Sequence, residues 1–201
     1  MQLRRCGPDG VLVEVDSPAE VEAVRATLAA ARLPDVVELV PAARTVLVVT
    51  GPGGAAAVRR VLTGADLAHH PAVDGDEVVI EVRYDGPDLD LVAETAGLTP
   101  AEVVALHTGA DYRVAFCGFA PGFAYLTGLP EPLRQPRLDS PRTKVPAGSV
   151  GVAGEFTAAY PRATPGGWRL IGRTDAPLFD PRRPTPALLT PGDRVRFEAV
   201  R

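Results

Sequence analysis

The stretch SPRTKVPAGSV, from Ser140, gathers residue types that hold anions. Arg142 can grip a carboxylate through two hydrogen bonds. Lys144, the sole lysine of the chain, carries a compact charge suited to a phosphate or an oxyanion. Gly148 and Ser149 add N–H and hydroxyl donors. The same two cations also read as solvated charges between the turn prolines Pro141 and Pro146, since surface cations are common. His107 closes a helical pattern, and its ordinary pKa near 6.5 suits general acid–base work. A helix-end cap or a packed ring explains it equally.

A second group is aromatic and rich in glycine. GFAPGFAYLTGL, residues 118–129, has three glycines, one proline, three aromatics and no charge. Phe119, Phe123 and Tyr125 alternate with smaller residues, so some pack inward and some face a cleft. Tyr125 and Tyr160 bring hydroxyls to apolar surroundings. The turn TPGGW, with Gly166 and Gly167, carries the only tryptophan, Trp168. These two turns and the 141–149 segment are expected to form one wall of a substrate pocket. Barrel corners packed for stability call for the same glycines.

Other chemistries find little support. GPGG, at 51–54, lies between a strand and a helix but lacks the Gly-Lys-Ser/Thr ending of a phosphate loop. His69-His70 has no Cys, Asp or Glu at familiar metal spacing, so no bound metal is expected. Cys117 sits in an apolar strand, where thiols stay protonated, and there is no GxSxG nucleophile motif.

The elements that must position these residues fall into two halves. VLVEV, a capped helix from Ser17 to about Leu33, VVELV, TVLVVT, the helical AAAVRRVL and the strand EVVIEVRY follow the order β-α-β-β-α-β, the pattern of a split βαβ unit. The turn cluster at Asp85-Gly-Pro-Asp88 marks the expected boundary, giving a ferredoxin-like α+β domain over 1–86 and a second domain over 87–201. The second opens with two short helices, the latter capped by Thr99 and Glu102. It continues as YRVAFCG, SVGVAG, WRLIGR and RVRFEAV, short strands among Gly/Pro turns that predict an all-β barrel. Thirteen of the 21 prolines lie between 118 and 192.

Composition sets the bounds. With 201 residues, 46% of them hydrophobic, and a net charge of −4, the chain can build a real core and gives no argument for nucleic acid or an anionic membrane surface. No apolar run reaches a membrane span. The opening MQLRRCGPDG lacks the apolar core of a signal peptide, so a cytoplasmic location with two reduced cysteines is expected.

Four stretches in order, GFAPGFAYLTGLPEPL, SPRTKVPAGSVGVAG, YPRATPGGWRLIGRT and LFDPRRPTPALLTPGDRVRF, resemble the family of the bacterial 5-oxoprolinase B subunit, also called allophanate hydrolase subunit 1 or the KipI-type kinase inhibitor. The resemblance runs through nearly all of the second half. The first half matches in element order and length. It implies a ferredoxin-like domain followed by a cyclophilin-like β-barrel. It also implies partnership with the C and A subunits of 5-oxoprolinase, in a complex that uses ATP, with Mg, to open 5-oxoproline to glutamate. On that basis His107, Arg142 and Lys144 are the catalytic candidates. Phe119, Tyr125, Ser149, Thr157, Tyr160, Gly166, Gly167 and Trp168 are the substrate-binding candidates. The family names also imply two other readings, inhibition of a sensor histidine kinase and a part in urea or allophanate amide hydrolysis. One position departs from the family pattern Ala-Gly-x-Gln-Thr-Gly-x-Tyr-Pro: Phe156 stands where glutamine is usual, and Ala158 replaces glycine. Phenylalanine cannot orient a polar ligand as an amide does.

Overall fold

A computed structural model describes residues 1–69 and 75–201. The chain divides into two compact units, Met1–Asp74 and Gly75–Arg201, whereas the turn cluster at 85–88 predicts a boundary after residue 86.

In the first unit, β1 (Gln2–Arg5), β2 (Gly10–Glu14), β3 (Val36–Pro41) and β4 (Thr45–Thr50) form an antiparallel sheet of order β1-β2-β4-β3. Helices α1 (Pro18–Ala31) and α2 (Ala55–Thr63) bury Val21, Val24, Leu28, Val58 and Leu62 against Val11, Val13, Val46 and Val48. The α1 start is set by Ser17, whose hydroxyl accepts from Glu20 N–H at 3.2 Å. The edge strand β1 adds to the expected elements. QLRR is short and almost wholly exposed, so it carries no alternating apolar signal.

The strand expected to complete the βαββαβ pattern goes elsewhere. β5 (Glu77–Val82) pairs in parallel with β13 (Arg194–Ala199) over six residues and sends Ile80 and Val82 into the second unit's core. Helices α3 (Leu89–Ala96) and α4 (Pro100–Thr108) follow. They lie against β12 (Arg169–Arg173) and β13 respectively. Thr99 and Glu102 form the expected capping box of α4.

With β6 (Tyr112–Cys117), β7 (Ala124–Thr127), β9 (Ser149–Ala153) and β10 (Phe156–Ala159), these strands make a seven-stranded sheet of order β12-β9-β10-β7-β6-β13-β5. Its two ends meet where Arg83 and Arg173 exchange backbone hydrogen bonds of 2.8 Å, so the sheet is a nearly closed barrel. The seam is close: a Cβ on Gly172 would stand 2.6 Å from the Arg83 carbonyl oxygen. One core draws on all seven strands, among them Val82, Val114, Leu126, Val152, Ala159, Ile171 and Phe197. A two-stranded ribbon, β8 (Arg142–Val145) with β11 (Thr164–Gly166), stands apart. A second cluster of Phe123, Val145, Ala153, Ala158, Tyr160, Trp168 and Leu170 includes Val145 of that ribbon. Among the described residues no helix is long and apolar enough to cross a membrane.

Candidate functional site

Strand alternation sorts the candidate residues. On β7 and β10, Ala124, Leu126 and Ala159 enter the barrel core, while Ala158 and the residues just beyond the strand ends, Phe123 and Tyr160, join the second cluster, with Tyr125 and Phe156 packed against it. The rings meet edge to face: Phe123 with Tyr160 at 5.2 Å and with Trp168 at 5.6 Å between centroids, and Tyr125 with Trp168 at 5.6 Å.

This aromatic layer opens to solvent in a recess of about 70 Å³, lined by Phe119, Phe123, Tyr125, Arg137, Tyr160, Gly166, Gly167 and Trp168. Six of the eight substrate-binding candidates are therefore brought together. Gly166 is required there, since a Cβ would fall 2.6 Å from the Tyr160 hydroxyl oxygen. Phe119 is 61% exposed and adopts a left-handed backbone, φ 67°. The loop that holds it is cross-tied by Gly118 N–H to Phe123 O (3.1 Å) and Phe123 N–H to Ala120 O (2.9 Å). A non-glycine residue in that conformation costs about 1–2 kcal/mol, which the loop's other bonds must offset. Burial pushes the Tyr160 hydroxyl up to about 12, with Arg137, the Trp168 amide and Arg142 among the opposing influences. Burial also raises Tyr125, against the pull of Arg137. Both phenols are hydrogen-bond donors at neutral pH.

The remaining candidates lie elsewhere. Thr157 has the opposite parity on β10: it is fully buried, donates from Oγ1 to Gly151 O at 3.1 Å, and meets His107 Nε2 at 3.0 Å. Since the Thr157 proton goes to Gly151, His107 Nε2 donates to Thr157, and the Tyr84 hydroxyl donates to His107 Nδ1 at 2.7 Å. His107 is fully buried and stacks on Phe197 at 4.5 Å. Desolvation drops its pKa to about 3. The imidazole is thus neutral, committed at both nitrogens and closed to solvent, which corrects its assignment as a general acid or base: its geometry is that of a core strut.

Arg142 also has a partner. Its Nη2 donates to Asp88 Oδ1 at 2.6 Å and its Nη1 to Trp168 O at 3.4 Å. Asp88 in turn accepts from Leu170 N–H at 2.7 Å. The pair clamps β8 and the start of β12 beside the recess without lining it. Lys144 is exposed on β8 and makes no hydrogen bond or ion pair among the described residues. Gly148 N–H is already given to Tyr160 O at 2.7 Å. Ser149 lines a separate hollow of about 400 Å³ with Asp85, Arg173 and Asp175. That hollow and a neighbouring one of about 430 Å³ follow the barrel seam. Their arginines are paired with their aspartates, Arg83 with Asp175 and Arg173 with Asp85 at 2.7 Å, while Glu81 also lines the larger hollow.

Arg137 and Phe123 complete the recess beyond the expected binding residues. Of the four Pro-Arg dipeptides in the sequence, Pro136-Arg137 and Pro141-Arg142 lie five residues apart. Sequence reasoning favours the second for its neighbours Lys144, Gly148 and Ser149, yet it is the first that faces the aromatic layer. Phe156, the departure from the family pattern, lies edge-on to Tyr125 and to Phe116, both at 5.7 Å, behind the recess lining.

The other sites read from sequence are quiet. Among residues 51–54, Gly51 N–H donates to Asp35 O and Gly54 N–H to Gly51 O, so these amides are not turned to a phosphate. His69 pairs with Asp66 at 2.8 Å, and His70 lies outside the described residues. Among the described residues no group of three His, Cys, Asp or Glu side chains could hold a metal ion. The Cys117 thiol is pushed up to about 11 by burial, as expected of an unreactive sulfur.

Comparison with known proteins places this arrangement. The family described as carboxyltransferase domain, subdomain C and D, matches residues 1–189. The chain is 41% identical over 210 aligned positions to the B subunit of 5-oxoprolinase from Escherichia coli O157:H7, covering 98% of this chain and 96% of that one. Among solved structures it superposes on TTHA0988 with a TM-score of 0.80 at 37% identity. That match covers 96% of this chain but 40% of the other, so the chain spans well under half of that protein. The urea carboxylase of Kluyveromyces lactis matches at 20% identity with a TM-score of 0.70, covering 99% of this chain and 22% of that one, a likeness of fold. A match across nearly the whole chain, at this identity, shows that the chain belongs to the family of 5-oxoprolinase B subunits, within the carboxyltransferase-domain C and D proteins.

Proposed function

We propose that this chain is the B subunit of an ATP-dependent 5-oxoprolinase, opening 5-oxo-L-proline to L-glutamate at a site it shares with the C subunit. The observation that carries the reading is the end-to-end likeness to a relative bearing that name. The recess supports the sharing. Small-molecule sites enclose about 300–1,000 Å³, and about 70 Å³ of aromatic recess holds one side of a ligand only. In this reading a second chain supplies the rest. In this reading the first unit is a ferredoxin-like variant with β1 at the sheet edge beside β2, and the barrel is cyclophilin-like.

Lactam hydrolysis adds one water across the ring C–N bond and yields a carboxylate and an amine. The ring amide is a poor electrophile, and ATP, when bound in the complex, supplies the activation by phosphorylating the carbonyl oxygen. This chain offers no phosphate cradle at residues 51–54, so in this proposal ATP and its Mg are held by partner chains. What this chain contributes is a wall of Trp168 and Phe123 packed edge to face, phenol donors from Tyr125 and Tyr160, and Phe119 at the rim. The Arg142–Asp88 clamp holds that wall in place. Reconstitution with the A and C subunits tests the proposal: 5-oxoproline-dependent phosphate release is expected from the mixture, with little or none from this chain alone. Full turnover by the isolated chain, or a complex that hydrolyses urea-derived amides and ignores 5-oxoproline, overturns it.

A further inference from the structure

We propose that Arg137 is the residue that recognises the ligand's carboxylate, with the Tyr125 and Tyr160 hydroxyls as accessory donors and the Trp168 face as the platform for the ring. The inference rests on the aromatic recess and, for its ligand, on the reading of the chain as part of a 5-oxoprolinase. Arg137 is the single charged side chain lining the recess. Its competitors are engaged: Arg142 with Asp88, and Arg169 with Thr95 and Gln135. Arg137 makes no hydrogen bond or ion pair among the described residues, so its donors are available to a ligand.

Its backbone, by contrast, is fixed on both sides. Gln135 O accepts from Gly154 N–H at 2.7 Å, and Leu138 N–H donates to Gly167 O at 2.7 Å. The second bond ties the segment to the glycine turn that lines the recess. The fixed backbone keeps the root of Arg137 beside the recess, while the exposed guanidinium is ordered only when an anion binds, at a cost of about 0.5–1.5 kcal/mol. No carboxylate lines the recess to oppose an anion. Arginine also presents a planar fork that fits a carboxylate through two hydrogen bonds. The aromatic floor favours a ligand with a near-planar ring, and the phenols favour a carbonyl acceptor on that ring. A five-membered lactam bearing one carboxylate has both properties.

Trp168 is the only tryptophan, so the emission of the intact chain reports on the recess directly. Three probes separate the determinants: 5-oxoproline, 2-pyrrolidinone (the same lactam without the carboxylate) and cyclopentanecarboxylate (a ring carboxylate without the lactam). Titrated to roughly 100 mM, as millimolar affinity requires, 5-oxoproline should shift the emission at least about tenfold more tightly than 2-pyrrolidinone. Arg137→Gln should erase that advantage and leave the 2-pyrrolidinone response unchanged. The exposed, unpartnered position of Arg137 keeps the variant folded, which circular dichroism checks. Arg182→Ala, an exposed arginine outside the recess, should bind as wild type. If cyclopentanecarboxylate binds in an Arg137-dependent way and 5-oxoproline does not, Arg137 stands as a carboxylate site and the 5-oxoprolinase reading falls. If Arg137→Gln binds 5-oxoproline as wild type does, or no carboxylate perturbs Trp168, the assignment of Arg137 is wrong.

Discussion

The Asp88 carboxylate accepts from Arg142 at 2.6 Å and from Leu170 N–H at 2.7 Å while its side chain remains 8% exposed. Arg142→Ala would strip one donor from a nearly buried charge. Breaking such a pair costs far more than an exposed ion pair is worth, so a loss of about 2–3 kcal/mol is expected in urea unfolding. Activity lost in that variant would report the clamp, whereas activity lost in Arg137→Gln at unchanged stability would report a ligand contact. His107 makes a different prediction. Its folded pKa of about 3 lies below the ordinary 6.5, so between those values the unfolded chain binds a proton that the folded chain refuses. The stabilisation is fully present above pH 6.5 and is lost as pH falls toward 3, at a slope on the order of 1 kcal/mol per pH unit. Urea midpoints measured from pH 7 to pH 4 should fall accordingly, and His107→Asn should flatten that slope while lowering the neutral-pH value.

At the scale of elements, the site is a matter of which face of a strand a residue occupies. Tyr125 and Leu126 are neighbours in sequence, yet one borders the recess and the other fills the barrel. Phe156 and Thr157 divide in the same way on β10, with Phe156 against Tyr125 and Thr157 bonded to His107. Register shifts between Val114 and Phe116 and between Leu170 and Gly172 reset the alternation within single strands. The seam between β5 and β12 is packed tightly enough to need glycine on both sides, Gly86 against Leu170 O and Gly172 against Arg83 O. Gly172→Ala would bring a methyl to 2.6 Å from Arg83 O, so the two segments must separate there. The expected result is faster hydrogen exchange at the Arg83 and Arg173 amides and a stability loss of about 1–3 kcal/mol. Unchanged exchange at those amides would show that the barrel is not closed through this bridge.

On the scale of the whole molecule, the recess holds too little volume to surround a substrate, which is why the decisive measurement of function is made on the reconstituted complex. Much of this protein was legible in its residues. Four motif stretches carried the family, Ser17 and Thr99 announced their helices, and the Gly/Pro-punctuated strands announced a β-rich second half. Six recess residues were recognisable because aromatic residues beside glycine turns have few other reasons to occur together. Tertiary structure alone decided three matters. It moved β5 into the second sheet, because a strand's own apolar pattern does not name its partner and six parallel pairs with β13 do. It took His107 and Thr157 out of the chemistry by placing them on the inward face, where desolvation keeps the imidazole neutral. It set Arg137 at the recess and Arg142 in a clamp, two arginines each preceded by proline, because Asp88, distant in sequence, claims one guanidinium and nothing among the described residues claims the other. Composition and motifs specify what residues can do; which way a side chain points depends on register and on partners far along the chain, and those exist only once the sheet has closed.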